Sequence, residues 1–277
     1  MTDTTATDTT ATVALPDLGT PRAQLLLSVA DDELISGHRA SHWTGVAPSL
    51  EEDLAFSTIA QDEINHADVW YQLLLGEDHP DVRAGVDALG LGRAPEDYRH
   101  AILCEHAPRD FAYTLARHWA YDRFDVVRLA ALADSSDAAV AAVATKLLHE
   151  ERYHLEHADH WFARLAGGGD EARQRLRTAL AEVLPEALGL FEPFAGEADA
   201  VAAGLLRVPS SELRTRWAQI VGAMLDDAGL GDLLPGADAE VPLAAAGGRA
   251  GRHTEDFTRD VWPEMTALYR AFPGARW

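Results

Sequence analysis

Apolar residues recur every three or four positions along most of the chain, the spacing that places them on one face of an α-helix. No segment shows the alternating pattern that is typical of a β-strand. The apolar stripes predict four long helices, at approximately residues 21–45, 49–76, 109–133 and 138–166. Three shorter helices are predicted after them, at residues 171–184, 211–227 and 255–272. The pattern therefore predicts an all-α protein.

Local signals mark where these helices begin and end. Thr20 followed by Pro21 is typical of a helix start, because threonine can cap the helix and proline fits its first turn. Ser49 and Glu52 form a capping-box pattern at the start of the second helix. Gly76 and the three glycines at 167–169 indicate helix ends. The four long helices therefore form two hairpins with short turns, and the two members of each hairpin are expected to be antiparallel.

The order of the helices favours a ferritin-like four-helix bundle, because two antiparallel hairpins with a longer connection between them are its ingredients. Residues 1–20 contain almost no large apolar side chain, and we expect them to be a disordered leader. Residues 21–277 are expected to form a single domain, with the bundle at 21–167 and peripheral helices at 170–277. Pro263 lies inside the last predicted helix and puts the straightness of that helix in doubt.

The charge of the chain excludes several classes of partner. Its 277 residues include 45 Asp and Glu against 23 Lys and Arg, which gives a formal net charge of −22 at pH 7. This excess of negative charge repels phosphate backbones and anionic lipids, so we expect neither a nucleic acid nor a membrane as partner. The single cysteine, Cys104, cannot form an internal disulfide and is expected to be a buried small hydrophobe. A cytoplasmic location is expected.

Two of the long helices contain the spacing Glu-x-x-His. On the second helix the residues are Glu63 and His66, and on the fourth they are Glu151 and His154. Residues three apart share a helix face, so each pair can present a carboxylate and an imidazole to one point. The spacing alone is weak evidence, because about one such pair is expected by chance in a chain with 12 histidines.

Two further carboxylates make the arrangement more specific. Glu33 and Glu63 lie at similar distances from the turn of the first hairpin, and Asp122 and Glu151 repeat this geometry in the second. All four acidic residues can therefore meet at one height of the bundle. Lone carboxylates on two helices, with Glu-x-x-His on the other two, are the ligand pattern of ferritin-like di-iron and di-manganese sites. The predicted metal ligands are Glu33, Glu63, His66, Asp122, Glu151 and His154.

Each candidate ligand also has a simpler interpretation. Glu33 follows two other acids and could be a surface charge. Asp125 competes with Asp122 for the inward face of its helix. Asp122 could instead pair with a nearby basic side chain, the candidates being Arg117, Arg123 and His118. The two Glu-x-x-His pairs could form a buried ion-pair network that holds no metal.

Several stretches resemble the ferritin-like subunits of the multicomponent 1,2-phenylacetyl-CoA epoxidase of aerobic phenylacetate degradation. These stretches are residues 47–50, 61–67, 111–117 and 151–155. Gly-Gly-Arg-Ala-Gly-Arg-His-Thr-Glu at 247–255 and Phe-Pro-Gly-Ala-Arg-Trp at 272–277 resemble the PaaC-type subunit in particular. The resemblance covers nearly everything after residue 21.

The resemblance implies a PaaC-type subunit, which is the structural partner of a catalytic PaaA-type paralogue in a complex that a separate reductase component serves. It also implies a site for two irons per chain, with manganese as the other candidate metal. Some partner-type members of the family lack ligand residues, whereas all six positions here are of ligand type. Two other functions stay open: a catalytically active di-iron oxygenase, and a ferritin-like metal-binding protein outside the epoxidase. In isolation the chain is a candidate homodimer.

Overall fold

The structure is a computed structural model that describes residues 13–272 and 275. Residues 1–12, which hold most of the expected leader, lie outside the described residues. The described part is helical and contains no strand, so the predicted all-α class is confirmed. Its α-helices are α1 (Pro21–Ser41), α2 (Leu50–Leu75), α3 (Val82–Leu91), α4 (Ile102–Glu105), α5 (Phe111–Ala133), α6 (Ala138–Ala166), α7 (Asp170–Glu186), α8 (Glu197–Ala202), α9 (Ser210–Asp227) and α10 (Trp262–Ala271).

Helices α1, α2, α5 and α6 are the two predicted hairpins, and the caps that delimit them form as expected. The Thr20 hydroxyl accepts a hydrogen bond from the N–H of Ala23 at 3.1 Å. The Ser49 hydroxyl accepts one from the N–H of Glu52 at 3.3 Å. Extensive packing joins α1 to α2 and α5 to α6. Each hairpin therefore brings residues of two helices to the same height.

Two of the C-terminal helices cover α5. Helices α7 and α9 pack against it, and the indole N–H of Trp217 on α9 donates to the carbonyl of Ala120 at 3.0 Å. Apolar side chains from the bundle and from these outer helices belong to one contiguous core. Cys104 lies buried in this core, as expected. None of the helices in the described ranges is long and apolar enough to cross a membrane.

The last predicted helix is divided into two parts. A π-helical segment, Asp256–Val261, leads directly into α10, and Pro263 is the second residue of α10. Proline has no N–H to donate and its ring needs room in the preceding turn, so the first turn of a helix is where it is tolerated. The wider π turn precedes the proline at this point. The expected departure from a straight α-helix is therefore found just before Pro263.

Candidate metal centre

All six predicted ligand residues are buried where the two hairpins meet. The four carboxylates come from four different helices: Glu33 from α1, Glu63 from α2, Asp122 from α5 and Glu151 from α6. Each of these carboxylate residues is at most 1% exposed. The interpretation of Glu33 as a surface charge is therefore wrong. Helix rise and turn position, on which the register argument rests, set the heights of these residues.

Four of the six residues converge on one point, and a fifth, His154, contacts two of these four. One donor atom each from Glu33, Glu63, His66 and Glu151 lie within 4.8 Å of one another. Nδ1 of His66 lies 3.1 Å from Oε1 of Glu151. Nδ1 of His154 lies 3.1 Å from the other oxygen of Glu151 and 3.3 Å from Oε1 of Glu63. Glu151 therefore lies between the two imidazoles, with one oxygen facing each.

Asp122 lies to one side of this cluster. Its Oδ1 is 3.2 Å from Nδ1 of His118, one of the three basic partners considered for it. The other two, Arg117 and Arg123, donate to different acceptors. Neither oxygen of Asp122 has a hydrogen-bond partner in the described part of the chain. Asp122 nevertheless interacts electrostatically with the cluster, because, besides burial, the negative charges of Glu151 and Glu63 raise its pKa.

Two acidic residues hold the outward nitrogens of the imidazoles. Nε2 of His66 lies 3.1 Å from Oε2 of Glu150, and Nε2 of His154 lies 3.5 Å from Oδ2 of Asp62. Each acid belongs to the helix opposite its histidine, so the two contacts cross between α2 and α6. A carboxylate on Nε2 keeps the proton there and leaves Nδ1 as a donor to a metal. Sequence reasoning missed these two acids, although each directly precedes the glutamate of a Glu-x-x-His motif.

A guanidinium group also borders the cluster, and sequence reasoning did not anticipate it. Arg128 on α5 lies with Nη1 2.6 Å from Oδ2 of Asp32 and Nη2 3.3 Å from Oε1 of Glu33. Its Nε donates to Asp125 at 2.9 Å. Arg249, from the C-terminal stretch at 247–255, holds Asp32 through two further bonds of 2.8 Å. The C-terminal region is thus tied directly to the edge of the centre.

Burial favours the protonated form of several of these acids. It raises the pKa of Glu33 well above its usual range, and the negative charges of Asp125 and Glu63 add to this effect. It likewise raises the pKa of Asp122. Burial also raises the pKa of Asp125, to about 7, although Arg128 opposes it.

The pKa of Glu151, which lies between the two imidazoles, shifts in the opposite direction. Burial alone would raise the pKa of Glu151, but hydrogen bonds from His154 and His66 outweigh it and lower the pKa to about 2. The pKa of each histidine is raised in return, because the neighbouring carboxylates outweigh the effect of burial. Without metal, the centre therefore favours imidazolium groups beside the Glu151 carboxylate.

The donor set fits divalent cations. Carboxylate oxygens of Glu33, Glu63, Asp122 and Asp125 are buried without a hydrogen-bond partner among the described residues. A buried acceptor without a donor is unfavourable, and convergent anionic oxygens beside imidazole nitrogens suit iron or manganese. With Asp32 included, the centre holds six buried carboxyl groups and the two guanidinium groups of Arg128 and Arg249, which leaves four negative charges when every carboxyl group is ionised. Two divalent cations would balance those four charges, as would four protons.

Comparison with known proteins identifies the family. A family model described as "Phenylacetic acid catabolic protein" matches residues 1–277. The chain belongs to this family. A relative in Escherichia coli (strain K12), named as the C subunit of 1,2-phenylacetyl-CoA epoxidase, is 31% identical over 258 residues, which are 91% of this chain and 97% of the relative. Family membership, expected from the resembling stretches, is therefore confirmed, and the relative is of the type that residues 247–255 indicated.

Proposed function

We propose that this chain is the PaaC-type subunit of a 1,2-phenylacetyl-CoA epoxidase and acts as the structural partner of the catalytic PaaA-type subunit. The observation that carries this proposal is the similarity to the C subunit of the Escherichia coli epoxidase, which extends over 97% of that relative. The complex would also include a reductase component and work on phenylacetyl-CoA in the cytoplasm.

Two features of the site support a partner role. The guanidinium group of Arg128 places a permanent positive charge beside the carboxyl groups of Asp32, Glu33 and Asp125. It therefore neutralises part of the negative charge of the centre without metal. The cavity beside His118 measures about 30 Å³, room for about one or two water molecules. Sites for drug-sized ligands usually measure at least about 300 Å³, so an aromatic thioester does not fit there.

A second candidate function is that the chain holds a di-metal centre of its own, and the unpaired carboxylate oxygens favour it. The six predicted residues would hold the metals, and bound iron would supply the oxygen-activating chemistry of the epoxidation. Asp62 and Glu150 would orient His154 and His66, so that each Nδ1 faces the cluster. The surrounding core would exclude water.

Reconstitution of the complex tests the partner role. Turnover of phenylacetyl-CoA is measured for the catalytic subunit and reductase with and without this chain. We expect omission to abolish most of the turnover, because the catalytic subunit loses its support. Undiminished turnover without this chain would contradict the proposal.

The same assay separates the two candidate functions. The double variant Glu63→Gln, Glu151→Gln removes two carboxylates of the centre and keeps their shapes. Glu156→Gln, on the exposed face of α6, is the matched control. We expect the double variant to assemble and turn over like the control. If it assembles but turnover is lost, the chain houses the catalytic centre.

A further inference from the structure

A second group of metal-ligand side chains lies at the end of α1, away from the bundle centre. It consists of His38, His42 and Glu264, and one donor atom from each lies within 4.8 Å of the others. Position 38 is about 140° around the α1 axis from Glu33, at 3.6 residues per turn. The group therefore faces away from the centre described above. The proposed function makes no use of it.

The spacing and orientation of the two histidines suit a single ion. His38 lies in the last turn of α1, and His42, four residues later, is its C-cap residue in a helical conformation, which places both rings on one face of the helix end. Nε2 of His42 lies 3.6 Å from Oε2 of Glu264, and Nε2 of His38 lies 4.0 Å from the same oxygen. Donors around a tetrahedral zinc ion with bonds of about 2.1 Å are separated by about 3.4 Å. The two nitrogen–oxygen separations exceed this value by about 0.2 Å and about 0.6 Å.

The histidine atoms that face this gap have no other partner. Nε2 of His38 and Nε2 of His42 are both inaccessible to solvent and lack a hydrogen-bond partner among the described residues. Burial lowers the pKa of His38 to about 4 and also lowers the pKa of His42. Both rings are therefore neutral at pH 7, the state in which imidazole binds a metal. The negative end of the α1 dipole also favours a cation at this place.

We propose that His38, His42 and Glu264 bind one divalent transition-metal ion of the zinc type, with water as the fourth ligand. Two imidazoles and one carboxylate with an open position are an established zinc donor set. The ion would join α1 to α10. Thr266 is the one buried residue of α10, and Trp262 and Met265 pack against the core, so the ion would add to a small number of contacts.

Arg39 limits the affinity of this site. Nη1 of Arg39 lies 3.4 Å from Nδ1 of His42. The other two guanidinium nitrogens, Nε and Nη2, donate to backbone carbonyls at the shorter distances of 2.7 and 3.0 Å. Metal at Nε2 moves the ring proton of His42 to Nδ1, so this contact has to give way. We therefore expect weaker binding than at a zinc site without a neighbouring guanidinium group.

Equilibrium dialysis of the full chain against Zn²⁺ tests the proposal. The variants His42→Gln and Glu264→Gln are compared with the wild type and with His160→Gln, which changes an exposed histidine on α6. We expect each of the first two variants to bind one zinc ion fewer per chain than the wild type, with affinity at this site reduced roughly a hundredfold or more. His160→Gln should bind as the wild type does. Circular dichroism checks that the helical content is unchanged.

Hydrogen exchange of α10 supplies an independent measurement. We expect Zn²⁺ to slow amide exchange over residues 262–271 in the wild type and in His160→Gln, and to have no effect in Glu264→Gln. Equal zinc stoichiometry in all four chains would overturn the proposal. So would exchange in α10 that does not respond to zinc in the wild type.

Discussion

Arg128 places a permanent positive charge against the buried carboxylates Asp32, Glu33 and Asp125. A buried ion pair adds little net stability when it is complete, but removal of one partner leaves an uncompensated charge in a medium of low polarity. The guanidinium group therefore determines whether this side of the bundle centre can remain packed without metal.

The first prediction concerns this guanidinium. Arg128→Met, which keeps much of the side-chain volume, should lower the free energy of unfolding by about 3 to 5 kcal/mol, because it leaves Asp32 and Asp125 without their shared partner. Urea unfolding in the presence of a chelator measures this. The control Arg259→Met removes an exposed arginine that pairs with Glu255 and should change stability by less than about 0.5 kcal/mol. Equal stabilities of the two variants would show that protonation alone neutralises the centre.

Sequence reasoning at the residue scale identifies contacts between neighbours in the chain and misses contacts between residues that are far apart in it. Glu-x-x-His spacing and turn position fixed the six candidate ligands, because both are local properties of two hairpins. Asp31 and Asp32, the two acids that precede Glu33, are both fully buried. Their partners Arg93 and Arg249 lie 62 and 217 residues away along the chain. No local pattern reveals such pairs.

At the scale of elements, the long helices could be predicted closely, because caps and glycines mark their ends. The short helices α3, α4 and α8 were missed. They comprise 10, 4 and 6 residues, too few for an apolar period to become apparent. The π-helical segment before α10 was not predicted either, because a proline indicates only that a helix is disturbed.

The close approach of α1 to α2 depends on Gly37. A Cβ atom at this position would lie 2.8 Å from Cβ of Glu63 and 3.0 Å from the backbone oxygen of Ala60. The contact lies beside a predicted metal ligand, so the spacing of the two helices also sets the position of the Glu63 carboxylate.

The second prediction tests this helix contact. Alanine is favoured over glycine within a helix by about 1 kcal/mol, but at position 37 it should force the two helices apart, and overpacking of this kind costs about 1 to 3 kcal/mol. We therefore expect Gly37→Ala to leave stability unchanged or to reduce it by up to about 2 kcal/mol in thermal or urea unfolding. Gly90→Ala in α3 is the matched control, because its Cβ would make ordinary contacts at 3.5 and 3.7 Å. The control should be stabilised, and a similar gain in Gly37→Ala would contradict the proposed constraint.

At the scale of the whole molecule, the C-terminal region secures the bundle from outside. Besides the Arg249 contact with Asp32, Nδ1 of His253 lies 2.9 Å from Oε2 of the buried Glu105. His100 contacts the same oxygen at 2.7 Å, and its ring stacks on His253 with a centroid distance of 4.0 Å. The stretch at 247–255 therefore holds the C-terminal region against α1 and against Glu105 of α4.

The whole chain also provides the test of metal loading, because ligand binding to the folded state stabilises it. Four negative charges remain at the centre after its two guanidinium groups are counted, so two ferrous ions would balance it without protons on the acids or imidazoles. If the six residues hold metal, anaerobic loading with excess iron should give about two irons per chain by elemental analysis. Saturation at a hundred times the dissociation constant should add about 2.7 kcal/mol per independent site.

This third prediction is best measured in the His42→Gln background, which removes the second site proposed at the end of α1. The additional change Glu63→Gln, Glu151→Gln should abolish both the bound iron and the stabilisation, whereas Glu156→Gln should preserve them, because that side chain is exposed on α6. If the protein binds no iron and iron does not stabilise it, the six residues form a protonated polar network without metal. In that case Arg128, Arg249 and bound protons would neutralise the carboxylates of the centre. Of the two candidate functions, only the structural partner role would then remain.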